Sequence, residues 1–445
     1  PILTQKRVTD FLIDARDCEL YSGLTDNGAG GLSSSIGEMA LFTGGATIDL
    51  AHAPTKYPGL SPYQLVISES QERMSFAVPK EQATEFEQLA KHHGVQASKL
   101  GKFDQSGSFN ILYRDKLVGE LPLDLMHDLL PQMELKASWQ PDFKWKTWRP
   151  PTPKQSIEQF DLKSALEILP KLLSSDNVAS YEPLVRQYDH EVGGATLIKP
   201  FAKGTESSPN DSALIWLRPH GGSEHGAVAI GCGLAPRISP LNPYLMAIYA
   251  ADEAIRNVVA SGGDIDHCCL LDNFCWPDPV ASSKNPDGEQ KLGMLVKTCE
   301  GLYDLCKSYR TPLVSGKDSM KNDFRGVMSD GSPVTISVLP TLLVTAMAKA
   351  DSRYSAQTKA QAAGDLIYRL SPTPATIHRG GLLGSEFDQL FCLDDSGPTA
   401  LPEVDLAANL QLYRKIYTAH QRALLASCHD ISAGGTLCAV TESLF

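Results

Sequence analysis

Positive charge is in short supply in this 445-residue chain. Forty Lys and Arg stand against 52 Asp and Glu, a formal net charge of −12. That balance argues against non-specific binding to nucleic acid, which needs a basic face. It still allows a small anion to be held by backbone N–H groups. No apolar run reaches the about 18 residues of a membrane span, and no secretory signal is visible. A second metal knuckle is missing too. The ten cysteines are scattered, and the one tight cluster is His267, Cys268 and Cys269 with Cys275. Without paired ligands elsewhere it reads as buried strand thiols rather than zinc. Such thiols fit a reducing cytoplasm.

What the chain does have is a loop used twice. "LTDNGAGGLS" begins at Leu24 and "SCHDISAGGT" at Ser427. Asp26 and Asp430, Gly31 and Gly435, and Glu38 and Glu442 are each 404 residues apart. The preceding apolar positions Val8, Leu12 and Ala15 keep the same offset to Leu412, Ile416 and Ala419. Solenoid repeats are far shorter, so a large duplicated domain is expected. Only three residues follow Glu442, and Pro1 opens directly into a helical pattern. The spacing therefore predicts a piece of a longer protein, starting inside one repeat and stopping inside the next. The length gives a prior of about three domains.

Hydrophobic periodicity predicts alternating strands and helices, an α/β or α+β class. A helix to about Asp17 leads to a strand near Tyr21–Leu24, the first glycine loop and a helix over Ser34–Leu41. Tyr63–Val78 is expected to be a strand pair turning at Glu69, Ser70 and Gln71. Residues 1–138 form the first region. Four prolines in "WQPDFKWKTWRPPTPK" make 139–155 a linker. A second domain covers 156–350, with a long helix over about Pro243–Ser261, a strand at Asp264–Leu271, a helix over Lys291–Ser308 and a strand at Thr311–Val314 entering "SGKDSM". A polar linker over Lys349–Gly364 then precedes "DLIYRL", which opens an incomplete third domain within 351–445.

Several stretches can carry chemistry. Asp26 followed by glycines at a helix start suits a phosphate and a Mg²⁺ ion; an Asp-capped turn is the plainer alternative. Glu253 and Asn257 share a helix face one turn apart and could hold a divalent cation or simply face solvent. Ser315–Ser319 is not a Walker loop, yet it offers a glycine turn, the Lys317 ammonium and the Ser319 hydroxyl; a plain surface turn is the alternative. Asp272 and Asn273 end an apolar strand where ligands often sit. His190, in "RQYDHEVGG", could be a base or a structural histidine.

Together "DNGAGGLSSSIGEMA", "SPYQLVISESQERM", "NVASYEPLVRQYDHEVGG", "NPYLMAIYAADEAIRNVVASGGD", "LLDNFCWPDP", "SGKDSMKND" and "CHDISAGG" resemble the phosphoribosylformylglycinamidine synthase family. The resemblance implies the duplicated two-subdomain fold of the aminoimidazole ribonucleotide synthetase-like superfamily. It implies ATP-dependent conversion of formylglycinamide ribonucleotide to the amidine in de novo purine biosynthesis, in the cytoplasm. Ammonia derived from glutamine would come from a glutaminase domain or subunit. ATP or ADP and Mg²⁺ are the implied cofactors; neither nucleic acid nor a membrane is an expected partner.

Residue by residue, Asp26 matches a metal ligand of the catalytic site. Glu69, Ser70, Gln71 and Ser319 match substrate contacts. Asp272 and Gly316 match nucleotide contacts. Glu253, Asn257 and Asp430 match metal ligands of an auxiliary nucleotide site, with Ser432 beside its phosphates. Lys317 stands where shorter bacterial members carry Asn; an ammonium cannot bind a metal, so it reads as a phosphate contact. "IGCGLAPRIS" lacks a metal-binding Asp expected near Ile230–Ser239, which leaves the auxiliary metal count open. No catalytic residue is assigned, because the family's catalytic His and ATP-binding Lys have no counterpart here, and the piece alone is expected to be inactive. Alternatives are another ATP-using enzyme of the superfamily, or a non-catalytic, nucleotide-stabilised scaffold.

Overall fold

The structure is a computed structural model that describes residues 2–127, 133–141, 155–156, 162–187, 192–201, 208–372, 383–392 and 401–445. It divides into two compact units, Pro1–Glu134 and Leu135–Phe445.

The first unit starts with α1 (Ile2–Asp17), β1 (Gly23–Asp26), α2 (Leu32–Thr43) and β2 (Ala46–Asp49). It continues with α3 (Pro62–Val66), β3 (Met74–Ala77), α4 (Ala83–His92), β4 (Gly101–Phe103), β5 (Ser108–Tyr113), β6 (Lys116–Pro122) and α5 (Leu123–His127). β1 and β3 form an antiparallel pair, and a separate sheet runs β4-β2-β5-β6. Apolar residues four apart share a helix face. Phe11 and Ala15 of α1 thus bury against Phe86 and Ala90 of α4, with the Phe11 and Phe86 rings edge-to-face at 5.0 Å. A second core joins Leu32 and Ile36 of α2 to Ile48, Phe109 and Ile111 of the sheet.

The expected strand pair over Tyr63–Val78 is half wrong. Its first part is the helix α3. Ser61 and Gln64 form a capping box and Pro62 takes the first turn, and these start signals outweigh a short alternating pattern. Only Met74–Ala77 is a strand.

The second unit contains β7 (Gln155–Ser156), α6 (Leu162–Leu173), α7 (Glu182–Val185), β8 (Thr196–Ile198), β9 (Ala213–Trp216), β10 (Gly226–Leu234) and α8 (Pro243–Ala260). There follow β11 (Gly263–Cys275), α9 (Gly288–Tyr309), β12 (Leu313–Ser319), β13 (Asp323–Val327), β14 (Pro333–Ser337) and β15 (Thr341–Asp351). The last elements are α10 (Glu386–Leu390), β16 (Phe391–Cys392), α11 (Leu406–Gln421) and α12 (Gly435–Glu442). Six strands form a sheet in the order β12-β11-β15-β10-β9-β8, and β13 pairs with β14 as a hairpin. The helix α8 starts sharply because Asn242 accepts the Leu245 N–H at 3.0 Å and Pro243 follows it. Its Ala250, Ala251, Ala254, Ile255 and Val258 are completely buried in the main core with Val344 and Ala346 of β15.

Two further expectations change here. "SGKDSM" is not a turn: Ser315–Ser319 continues β12 in parallel register with β11, Gly316 opposite Asp272 and Lys317 opposite Asn273. Gly316 is there for close approach, since a Cβ would lie 2.6 Å from Asp272 Oδ1. Lys349 belongs to β15 and not to a linker. "DLIYRL" has no regular structure, and Leu366, Ile367 and Tyr368 are each at least 75% exposed.

The duplication is visible in the backbone. α1 and α11 keep the 404-residue offset at both ends. Gly30 and Gly434 both have φ 80°, and Gly31 and Gly435 have φ 58° and 67°.

Candidate functional site

Pairing of β1 with β3 places Asp26 opposite Met74 and brings the first glycine loop beside residues 68–73. Together they line a cleft of about 390 Å³ that includes Asp26, Gly28, Glu69, Ser70, Gln71 and Arg73. Asp26 is exposed, whereas the next residue, Asn27, is buried. The Asn27 Oδ1 accepts hydrogen bonds from the Ser35 hydroxyl at 2.5 Å and the Ser75 hydroxyl at 2.9 Å. Gly31 presses on the neighbouring loop so closely that a Cβ would lie 2.1 Å from the Ser68 carbonyl oxygen. The Gly30 N–H donates to Glu69 Oε1 at 3.2 Å. From behind, the Arg73 guanidinium donates to the Ser70 carbonyl at 2.9 Å and also to that of Ser68. The sequence thus located Asp26, Glu69, Ser70 and Gln71, and the structure brings them together. Asn27 and Arg73, which fix the two loops, were not singled out. Three carboxylates, those of Asp26, Glu69 and Glu72, line this cleft with one guanidinium, a setting that attracts cations.

In the second unit, Asp272, Gly316, Lys317 and Ser319 lie side by side on β11 and β12. Burial raises the Asp272 carboxyl, and the nearby Asp318 adds to the effect. The Ser319 hydroxyl lies 3.0 Å from Asn322 Nδ2.

The second glycine loop gathers the remaining group. Glu253 and Asn257 both turn toward β10: Glu253 Oε2 accepts the Leu234 N–H at 2.9 Å and Asn257 Nδ2 donates to the Cys232 carbonyl at 2.7 Å. Asp430 is buried. Its Oδ1 accepts from Arg256 Nε at 2.5 Å, while its buried Oδ2 has no hydrogen-bond partner among the described residues. Burial pushes the Glu253 carboxyl up to about 7; Arg256 opposes, Asp430 adds, and the Ser432 hydroxyl bonds it. Glu253, Asp430 and Ser432 are therefore close, and Arg256 is the cation among them. Burial works against the charge of Arg256, and Asp430 and Asp252 outweigh it.

Two residues beside Asp430 were not found from the sequence. Asp211 Oδ2 accepts the Asp430 N–H at 2.8 Å, and Asp211 Oδ1 lies 2.7 Å from His429 Nδ1. Burial disfavours a charged His429, but hydrogen bonds to Asp211 and Glu442 outweigh it and push its pKa up to about 10. Only a separation of 218 residues hid this pair.

Among the described residues no group of three His, Cys, Asp or Glu side chains forms a metal cage, and no helix is long and apolar enough to cross a membrane. Burial pushes the Cys268 thiol up to about 12. His190 lies outside the described residues.

Comparison with known proteins places this geometry. The description "AIR synthase related protein, C-terminal domain" matches residues 1–114, and its "N-terminal domain" counterpart matches residues 210–339. The phosphoribosylformylglycinamidine synthase subunit PurL of Thermosynechococcus vestitus is 31% identical over 99% of this chain. The chain spans 55% of that relative's length. Solved structures of T. maritima PurL complexed with ADP and with FGAR share its fold. Their TM-scores are 0.57 and 0.55 at 21% and 20% identity, covering 80% of this chain and 51% and 49% of theirs. A C-terminal domain followed by an N-terminal domain of one kind fits the repeat seen in the backbone: the chain belongs to the AIR synthase-related proteins, and its similarity to a phosphoribosylformylglycinamidine synthase subunit runs along nearly its whole length.

Proposed function

We propose that the chain serves the ATP-dependent amination of formylglycinamide ribonucleotide to formylglycinamidine ribonucleotide in purine biosynthesis. Glutamine-derived ammonia would come from a glutaminase domain or subunit, in the cytoplasm. One observation carries this reading: a glycine loop of phosphate-binding form is locked to the Glu69–Gln71 loop within one cleft. The name of the relative and the PurL structures complexed with ADP, ATP and FGAR support the ligand classes.

The chemistry suits these residues. An amide oxygen leaves poorly until ATP phosphorylates it; ammonia then attacks the same carbon and phosphate departs. The N–H groups after Asp26 stabilise negative charge on the phosphoryl oxygens. Glu69, Ser70 and Gln71 orient the ribonucleotide. Asp272, Gly316 and Lys317 contact the nucleotide. At the second loop, Ser432 sits beside the phosphates of an auxiliary nucleotide. The donors fit Mg²⁺: Asp26 offers an exposed carboxylate, and Glu253, Asn257 and Asp430 offer oxygens, one of them the unpartnered Asp430 Oδ2. When bound, Mg²⁺ neutralises phosphate charge beside these acidic groups. A boundary near residue 350, dividing the second unit into an N-terminal subdomain and the start of a C-terminal one, belongs to the same proposal.

Denaturing the purified chain and analysing the released small molecules by mass spectrometry tests it. ADP or ATP with Mg²⁺ is the expected release. A chain that carries no nucleotide and takes up no added MgADP would overturn the auxiliary-site assignment. Failure to bind formylglycinamide ribonucleotide would overturn that of the first cleft.

A further inference from the structure

The two copies of the glycine loop are secured by different side chains. In the first, the lock acts just after the aspartate, where Asn27 holds the Ser35 and Ser75 hydroxyls. At the 404-residue offset, Asn27 and Ser35 become Ile431 and Ala439, so that lock is absent. In the second copy the lock acts just before the aspartate, where His429 replaces Thr25.

His429 is held at both ring nitrogens. Nδ1 lies 2.7 Å from Asp211 Oδ1 and Nε2 lies 3.0 Å from Glu442 Oε2. Two carboxylates on opposite sides fix the ring against rotation. The other oxygen of Asp211 takes the Asp430 N–H at 2.8 Å. Glu442 is anchored in turn, its carbonyl accepting the Ser208 hydroxyl at 3.0 Å. The segment entering β9, the glycine loop and the last turn of α12 are thereby joined through one imidazole. The joint ends beside the buried Asp430 Oδ2, which has no hydrogen-bond partner among the described residues.

We infer that His429 is a positioning residue of the second loop: bridging Asp211 and Glu442, it fixes the Asp430 backbone so that the carboxylate and the N–H groups after it meet a nucleoside diphosphate and its cation. The ligand class rests on the function proposed above; the clamp itself does not. Neither Asp211 nor Glu442 can take over the role of the ring, because each contributes one side of the bridge.

Amide hydrogen exchange and MgADP titration of the full chain test this, using His429→Ala, Glu442→Gln and Tyr413→Phe. The last variant loosens the same unit outside the clamp's own hydrogen bonds, at Asp252, which reaches Asp430 only through Arg256. The expected result is faster exchange over residues 429–435 in His429→Ala. MgADP affinity falls by about 10–100-fold, the usual cost of losing a group that orients a ligand-binding side chain, and binding of formylglycinamide ribonucleotide is unchanged. Should His429→Ala fail to fold, Glu442→Gln opens one arm of the bridge and gives the same pattern. Unchanged exchange overturns the clamp. So does an affinity loss no larger than that of Tyr413→Phe at equal stability. If the wild-type chain takes up no MgADP, the nucleotide assignment falls, and exchange alone still decides the clamp.

Discussion

Gly31 shows how much one missing side chain can decide. Its φ of 58° and a Cβ position 2.1 Å from the Ser68 carbonyl oxygen leave no room for alanine. Gly31→Ala must therefore move one loop away from the other. The expected cost is about 1–3 kcal/mol of stability, read from urea midpoints, with loss of substrate binding in the first cleft. His420 gives a pH signature. Burial holds the imidazole pKa below its ordinary value. The folded state then binds fewer protons than the unfolded chain, so this contribution is present above about pH 6.5 and fades as pH falls toward the lower folded value. As pH falls from 8 to 5, the urea midpoint of the wild type should drop relative to that of His420→Gln; a difference between the two that stays constant with pH would remove His420 as the cause. At this scale the sequence was informative where neighbours in the chain are neighbours in space. Glu69, Ser70 and Gln71 were legible because they are consecutive. The contact between Asp211 and His429 was not, because nothing local marks an isolated Asp in "PNDSAL" as the partner of a histidine 218 residues away.

Elements with explicit start signals were the easiest to read and the easiest to test. Asn242 caps α8 through the Leu245 N–H. Asn242→Ala should cost about 0.5–2 kcal/mol and Asn242→Asp far less, measured by chemical unfolding. A result near zero for alanine would mean that packing alone sets where α8 starts. The long helices α8 and α9 were legible from periodicity. Two misjudged segments show why short ones were not. In Tyr63–Val66 a capping box and a proline outweighed β-type alternation. In Ser315–Ser319 a glycine that suggested a turn instead makes room for Asp272 on the adjacent strand. Both decisions depend on what lies beside the segment, and a pattern of residue types along one segment cannot encode that.

Each of the two units has a core of its own. Calorimetry should therefore resolve two transitions, with formylglycinamide ribonucleotide raising one and MgADP the other. A single transition raised by both ligands would contradict this. The duplication was legible across the whole molecule because an ungapped offset survives substitution of most residues between its fixed points. One buried carboxylate adds a constraint of time. Asp252 accepts hydrogen bonds from Tyr309 at 2.6 Å, Tyr413 at 2.8 Å and Arg256 at 2.5 Å. Tyr413 lies 161 residues downstream of Asp252. At about 5–20 residues per second of synthesis, Asp252 emerges from the ribosome roughly 8–32 s before that hydroxyl. During this interval α8 can form and Arg256 can pair with Asp252, but the last partner of the carboxylate does not yet exist. A carboxylate in the middle of this unit's core is thus completed by some of its newest residues, and a nascent chain stalled before Tyr413 would be held in a half-assembled state.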